Sequence, residues 1–280
     1  MLDRAFISVL SLTPKSTLSR LLGELTRAQG SPLLHQLALR AFVRAYGVDL
    51  SEAELPLSEY ATFAEFFTRR LRPGVRPVAG GEQIVVSPVD GRVAAFGVAE
   101  AGTLLQAKGC GYPLSSLLND PIDGRQFAGG AYLTLYLAPN DYHRIHAPLG
   151  GEIEGYSYIP GRLFPVNAAA VRWVPQLFCT NERLVSYLKT AAGRVAVVKV
   201  GALNVGRIRA AYDDIVTNAR RGAARRRYEK PVPVKKGEEL GVFELGSTVI
   251  LLFEPGKVTL EGSLREGEKV RMGQPIARVA

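Results

Sequence analysis

The sequence predicts an α+β protein in which amphipathic helices over residues 1–72 precede a mainly antiparallel β barrel or folded sheet over residues 73–280. Three observations carry this expectation. Apolar residues recur at helical spacing as far as Leu71. The segment Arg72-Pro73-Gly74-Val75-Arg76-Pro77 then places two prolines and a glycine in six residues, the strongest break in the chain. Beyond it the apolar residues gather into short, β-branched runs bounded by Gly, Pro and Asp/Asn turns.

The first region reads as two main helices and a short third one. Leu18, Leu21, Leu22 and Leu25 keep helical spacing after Ser16-Thr17. Ser31-Pro32 supplies a cap and a first-turn proline for a helix carrying Leu34, Leu37, Ala38, Ala41, Phe42 and Ala45 up to Gly47. Residues 1–46 hold six basic and two acidic side chains, a balance that suits helices lying on an anionic bilayer with their apolar faces inserted. Packing onto a core is the other fate of the same pattern. After the acidic stretch Asp49–Tyr60, the Thr62-x-x-Glu65 spacing of a capping box opens a short helix through Phe66, Phe67 and Leu71.

In the second region strands are expected at Ile84–Val86, Arg92–Val98, Ala131–Leu137, Ile153–Ile159, Val195–Val200, Asp214–Val216 and Val249–Phe253. Leu114–Leu118 and Asn181–Val185 read as short helices. The C-terminal Gly256-Lys257-Val258 and Gly267 to Ile276 repeat a glycine-turn-strand rhythm.

A chain of 280 residues with 47% hydrophobic content can bury a large core in one or two domains. Cys110 and Cys179 allow at most one disulfide and offer no metal-ligand spacing, which fits a reducing compartment. The net charge of +9 is local, since Arg220, Arg221, Arg225, Arg226, Arg227, Lys230, Lys235 and Lys236 face only Glu229 between Thr217 and Lys236. Such a basic loop could meet anionic lipid or nucleic acid, or simply be solvated. No apolar run approaches the ~18–20 residues of a membrane span, and Ala5–Leu12 makes a poor signal peptide. Membrane contact is therefore expected to be peripheral.

The chemistry gathers in three places. Gly246-Ser247 precedes the apolar run Val249–Phe253, with an unshielded carbonyl at 246 and a hydroxyl one residue downstream, the local requirement for an N→O acyl shift. A turn leading into a strand is the plain alternative. Asp90 sits in Ser87-Pro88-Val89-Asp90-Gly91, which also reads as an ordinary hairpin turn. Pro139-Asn140-Asp141-Tyr142-His143-Arg144-Ile145-His146 holds two of the three histidines, in a setting better suited to general-base work than to metal ligation. Asp90, His146 and Ser247 are together the elements of an Asp-His-Ser relay.

The chain resembles the bacterial phosphatidylserine decarboxylases of the membrane-associated, pyruvoyl-dependent type. The resemblance runs through Thr62–Phe67, Asp90-Gly91, Gln106–Gly109, Asp141–His146, Pro160–Asn167, Asn181–Arg183, Val200–Ala202, Leu245-Gly246-Ser247-Thr248 and Phe253–Val258. The cluster Arg220–Arg227 lies outside that pattern. The resemblance implies that Asp90, His146 and Ser247 drive autocatalytic cleavage of the Gly246–Ser247 bond, giving a β chain 1–246 and an α chain 247–280. Ser247 then becomes a covalent pyruvoyl group, with no metal and no pyridoxal phosphate, and holds the substrate amine as a Schiff base while carbon dioxide leaves. His143 is implied in substrate positioning or protonation, and Tyr142 and Asn167 in the substrate pocket. The implied partners are phosphatidylserine in an anionic bilayer and the two chains of one precursor, with a homodimer open and no nucleic acid. The implied location is the cytoplasmic face of the bacterial cell membrane, bound peripherally by residues 1–72. A serine hydrolase using the same three residues and a non-enzymatic lipid- or nucleic-acid-binding protein are the competing readings. The first lacks a Gly-x-Ser-x-Gly elbow.

Overall fold

Ser31-Pro32 starts a helix where the sequence places one. Helix α1 (Pro32–Tyr46) ends at Gly47, whose left-handed φ of 64° suits a residue without a Cβ. Its Leu39 is buried with Val48, Tyr60 and Phe66 in a small cluster, while Leu33, Leu34 and Leu37 are exposed. Helix α2 (Phe63–Phe67) is capped by Thr62, whose hydroxyl accepts from Glu65 N at 3.1 Å. The Glu65 carboxylate turns back to Ala61 N at 2.9 Å, one residue earlier than a standard capping box reaches. The computed structural model describes Thr26 and residues 31–105, 111–166, 168–202, 207–219, 222–244 and 247–280, with Ser247 through its backbone. The helix expected over Leu18–Leu25, Cys110, Asn167, Arg220, Arg221 and Gly246 lie outside the described residues.

After the proline-rich break the chain alternates strands with short helices. In order these are β1 (Ile84–Val86), β2 (Gly91–Val98), β3 (Thr103–Leu105), β4 (Gly111–Pro113), α3 (Leu114–Leu118), α4 (Pro121–Gln126), β5 (Ala131–Leu137), β6 (Arg144–His146) and β7 (Gly151–Ile159). Then come α5 (Ala168–Trp173), α6 (Leu177–Thr180), β8 (Arg183–Thr190), β9 (Gly193–Val200), β10 (Ile208–Ala210), β11 (Ala224–Val234) and β12 (Glu239–Phe243). The chain closes with β13 (Ser247–Phe253), β14 (Val258–Leu260), β15 (Lys269–Val270) and β16 (Pro275–Val279).

Among the described residues an antiparallel sheet runs β11-β7-β8-β9-β13-β5-β2-β15, flanked by the smaller sheets β10-β12-β6 and β1-β16-β14. The large sheet is open at β11 and β15, so the architecture is a set of folded sheets and not a closed barrel. Its middle strands bury both faces. On β13, Val249, Leu251 and Phe253 enter one apolar cluster and Ile250 and Leu252 the other. That two-sided burial explains why Val249–Phe253 reads as an unbroken apolar run instead of an alternating one. The short helices α3, α5 and α6 supply Leu114, Leu117, Leu118, Ala170, Leu177 and Phe178 to the second cluster.

Three sequence expectations are corrected. Asn181–Val185 is not a helix: α6 ends at Thr180 and β8 begins at Arg183, because Val185 and Tyr187 bury one face and Leu184 and Leu188 the other. Asp214–Val216 forms only an isolated bridge between Val216 and Arg209, and the strand there is β10. The described part of the basic segment is no loop. It forms β11, paired along β7, where Arg225 bonds Asp120 and Asp123 and Arg226 bonds Asp213 at 3.1 Å. Two of its six described cations, Arg225 and Arg226, are therefore paired with carboxylates within the fold.

Candidate active site

Strand β13 lies between β5 and β9, with Thr248 in register with both Tyr136 and Val200. Its first residue, Ser247, pairs with Leu137, the last residue of β5. The strand that precedes the Gly246–Ser247 bond, β12, ends at Phe243, whose amide donates to the carbonyl of His143 at 3.0 Å. Leu137 and His143, the two ends of residues 137–143, are thus tied to the start of β13 and the end of β12 respectively. The same segment carries Asp141, Tyr142 and His143. The backbone thus sets Ser247 and Phe243 at the two ends of the segment that leads into the histidine motif.

Both histidines are buried, and each has a defined tautomer. His143 Nδ1 donates to the carbonyl of Asp141 at 2.9 Å, which leaves Nε2 as a lone-pair nitrogen. That Nε2 is buried without a partner among the described residues. Burial pushes the His143 imidazole down to about 3, with the Arg69 charge adding to the effect, so the ring is neutral at physiological pH. Phe67 of α2 packs against it at 4.1 Å between ring centroids. His146 Nδ1 donates to the carbonyl of Gly237 at 2.8 Å, and its Nε2 accepts from the Tyr142 hydroxyl at 3.1 Å. Burial likewise holds His146 below the ordinary imidazole value. The Tyr142 phenol is pushed up to about 12 by burial and stays a donor.

Asp90 lies in the turn before β2, as the sequence predicts, and Gly91 follows where a Cβ would stand 2.7 Å from the Tyr136 carbonyl. Its carboxylate accepts from Arg76 Nε at 2.9 Å, from Arg76 Nη2 at 2.6 Å and from Met272 N at 2.8 Å. Arg76 also bonds Glu52 at 2.6 Å through the same guanidinium. Asp90 therefore stands near His146, whose amide donates to Pro88 O at 2.8 Å, but is not hydrogen-bonded to its ring. The groups on the His146 ring are Tyr142 and Gly237. Asp90, Tyr142 and Arg76 line one cavity of about 270 Å³.

Sequence reasoning missed Arg76, Glu52 and Gly237. Arg76 was hidden in a stretch that reads as a domain break, and a carbonyl such as that of Gly237 leaves no side-chain signal. Gly246 and Asn167 lie outside the described residues, and of Ser247 only the backbone is placed.

Comparison with known proteins bears directly on this cluster. The phosphatidylserine decarboxylase family matches residues 63–278. A phosphatidylserine decarboxylase proenzyme of Anaeromyxobacter sp. (strain K) is 56% identical over 100% of both chains. Proteins of the same description from Myxococcus xanthus and Brevibacillus brevis are 54% and 43% identical over 99% and 94% of each chain. The chain belongs to the phosphatidylserine decarboxylase family. As a phosphatidylserine decarboxylase family enzyme it has relatives described as proenzymes, and the family match takes in α2, the Asp90 turn, the histidine segment and residues 246–247.

Proposed function

We propose that this chain is the precursor of an enzyme that decarboxylates phosphatidylserine to phosphatidylethanolamine, and that it cuts its own Gly246–Ser247 bond to make its prosthetic group. The observation that carries the reading is that Ser247 pairs with Leu137 and Phe243 N bonds the His143 carbonyl, at the two ends of the segment that leads into the histidine motif. In this mechanism His146, neutral and with Nε2 as its basic nitrogen, takes the hydroxyl proton of Ser247. The freed oxygen attacks the Gly246 carbonyl, the amide becomes an ester and the proton passes to the departing nitrogen. Elimination across Cα–Cβ of residue 247 releases the Gly246 carboxylate and leaves dehydroalanine. Water then displaces ammonia to give a pyruvoyl group on the chain 247–280. Asp90, fixed by Arg76 and the Met272 amide, adds negative charge beside His146 and favours its protonated form.

Two features fit residue 247 for this group. Its strand is hydrogen-bonded on both sides, so the new terminus stays in place after cleavage. The Nε2 of His143, without a partner among the described residues, offers a buried lone pair for a proton in transit. When formed, the pyruvoyl carbonyl supplies a Schiff-base site for the substrate amine and a sink for the electrons released with carbon dioxide. His143 positions the substrate or returns a proton to its α-carbon, and Tyr142 and Asn167 belong to the pocket.

Residues 1–72 dock the enzyme on an anionic bilayer at the cytoplasmic face of the membrane. The exposed Leu33, Leu34 and Leu37 of α1, beside Arg40 and Arg44, support this. Among the described residues no helix is long and apolar enough to cross a membrane.

Mass spectrometry of the purified protein beside Ser247→Ala tests the reading. The parent is expected as chains 1–246 and 247–280 with a pyruvoyl terminus on the second, and the variant as one uncut, inactive chain. Cleavage persisting in Ser247→Ala refutes the mechanism.

A further inference from the structure

Arg69 follows α2 and is 4% exposed, yet no carboxylate bonds it among the described residues. Its Nη2 donates to the carbonyls of Asn140 at 3.0 Å and Asp141 at 3.4 Å. Among the described residues its Nε and Nη1 are buried without a hydrogen-bond partner, although the guanidinium lies 5.4 Å from the centre of the Phe66 ring. Unpaired donors on a buried cation are costly, and natural structures rarely keep them without a reason. The neighbouring cation behaves differently, since Arg76 is saturated by Asp90 and Glu52.

A second unpartnered group stands beside it. His143 Nδ1 and Arg69 Nη2 bond the same Asp141 carbonyl, at 2.9 and 3.4 Å, so the two nitrogens are no more than about 6.3 Å apart. His143 is fully buried, and its Nε2 is also without a partner among the described residues. Two buried side chains with unused nitrogens thus converge on one carbonyl, and Arg69 reaches the wall of the cavity of about 270 Å³. Arg69, on that wall with Asp141 and Tyr142, fits a ligand that brings an anionic oxygen into the cavity.

We propose that Arg69 binds the phosphodiester of the lipid headgroup, an inference that rests on the decarboxylase reading above. The substrate carries two anions, and their fates separate them. The carboxylate leaves as neutral carbon dioxide, so a cation held on it would stabilise the ground state more than the transition state and slow the reaction. The phosphodiester keeps its charge throughout and lies only a few bonds from the α-carbon, so a cation held on it does not oppose loss of carbon dioxide. The planar guanidinium fork is also suited to two phosphate oxygens at once.

The test uses the full-length Ser247→Ala chain, which binds without turning over. Calorimetric titration with glycerophosphoethanolamine, inorganic phosphate and ethanolamine is repeated after adding Arg69→Gln or Arg69→Lys. The first probe is expected to bind more tightly than either of the others. Arg69→Gln is expected to weaken it roughly tenfold to a hundredfold, the range for a hydrogen-bonded charge, without changing ethanolamine binding, and Arg69→Lys is expected to weaken it less. Unchanged affinity for glycerophosphoethanolamine in either variant overturns the proposal, and Arg69→Lys decides the matter if Arg69→Gln shows no cooperative melt. Equal loss of all three probes identifies a structural cation, and preference for inorganic phosphate identifies a free-phosphate site; either result also overturns it. Self-cleavage of the parent chain on a gel is a separate result, so the proposal can fail while the decarboxylase reading stands.

Discussion

Lys199→Met is expected to stabilise the uncut chain, most strongly at neutral and acid pH. Lys199 is fully buried on β9, in register with Leu184 of β8 and Val249 of β13. Its Nζ donates to the Ser186 hydroxyl, which also meets the Tyr212 hydroxyl, and no carboxylate pairs with it among the described residues. Burial pulls the amine from the ordinary 10.5 down to about 7. The unfolded chain keeps its proton up to the higher value. Between the two, unfolding takes up a proton, so stability climbs as pH rises; at pH 7 and below the full penalty applies. At about 1.36 kcal/mol per pH unit, that gap sets a ceiling of about 5 kcal/mol. Losing the bond to Ser186 returns about 1 kcal/mol, leaving a gain of about 3–4 kcal/mol for a methionine of similar length. Urea unfolding of Ser247→Ala with and without Lys199→Met at pH 6.5, 8.5 and 10 measures it. The advantage should be largest at pH 6.5 and fall to within about 1 kcal/mol by pH 10 as the amine of the folded chain and then of the unfolded chain loses its proton. A gain independent of pH, or a less stable methionine variant at pH 6.5, would refute the reasoning.

Other substitutions probe the site and its frame. Tyr142→Phe removes the donor that occupies His146 Nε2, so self-cleavage should run about fivefold faster at pH 7, the worth of about 1 kcal/mol of hydrogen bond. Because that bond favours the neutral ring, its loss should move the acid limb of cleavage to higher pH, from a parent value that burial holds below 6.5; gel time courses from pH 4.5 to 8 report both. Arg76→Met strips the bonds from Glu52 and Asp90 and should cost about 3–5 kcal/mol at pH 7. Arg76 holds the Glu52 carboxyl below 4.5, so this contribution is present above that value and fades as pH falls through the folded one; urea melts at pH 3.5 and 7 should differ accordingly. Gly130→Ala would place a Cβ 1.8 Å from the Phe253 carbonyl and should lower the melting temperature by several degrees in a thermal melt.

The sequence was most readable where local chemistry decides structure. Pro32 and Gly47 bound α1, Thr62 caps α2, and the runs at Ala131–Leu137 and Val249–Phe253 become the central strands β5 and β13. It was least readable where tertiary pairing overrides composition. Arg225 and Arg226 look like a solvated loop until Asp120, Asp123 and Asp213, distant in sequence, answer them on β11. The candidate site divides in the same way. His143 and His146 stand out because histidine is scarce here and two of them share one motif. That His146 faces Gly237 and Tyr142, and that Asp90 is clamped by Arg76, depend on bonds across many residues of chain. Lys199 and Arg69 gave no signal at all, since a lone basic residue in a strand or after a helix is ordinary until its burial is known.

The place of the proposed cut explains how a chain can be broken without losing its fold. Residues 247–280 do not form a detachable tail. Strand β13 fills the gap between β9 and β5, β16 joins β1 to β14, and Met272 N reaches Asp90. Separating the two chains would expose Val249, Ile250, Leu251, Leu252 and Phe253, all fully or almost fully buried, each worth about 1.5–3 kcal/mol. The proposed cut falls just before β13, where the ladder to Leu137 already holds the downstream end. Breakage one or two turns of strand deeper would instead sever paired backbone. The processed protein is therefore expected to run as a single particle in native size-exclusion chromatography and to part into two chains only in denaturant. Release of 247–280 under native conditions would show that the sheet does not hold the new terminus.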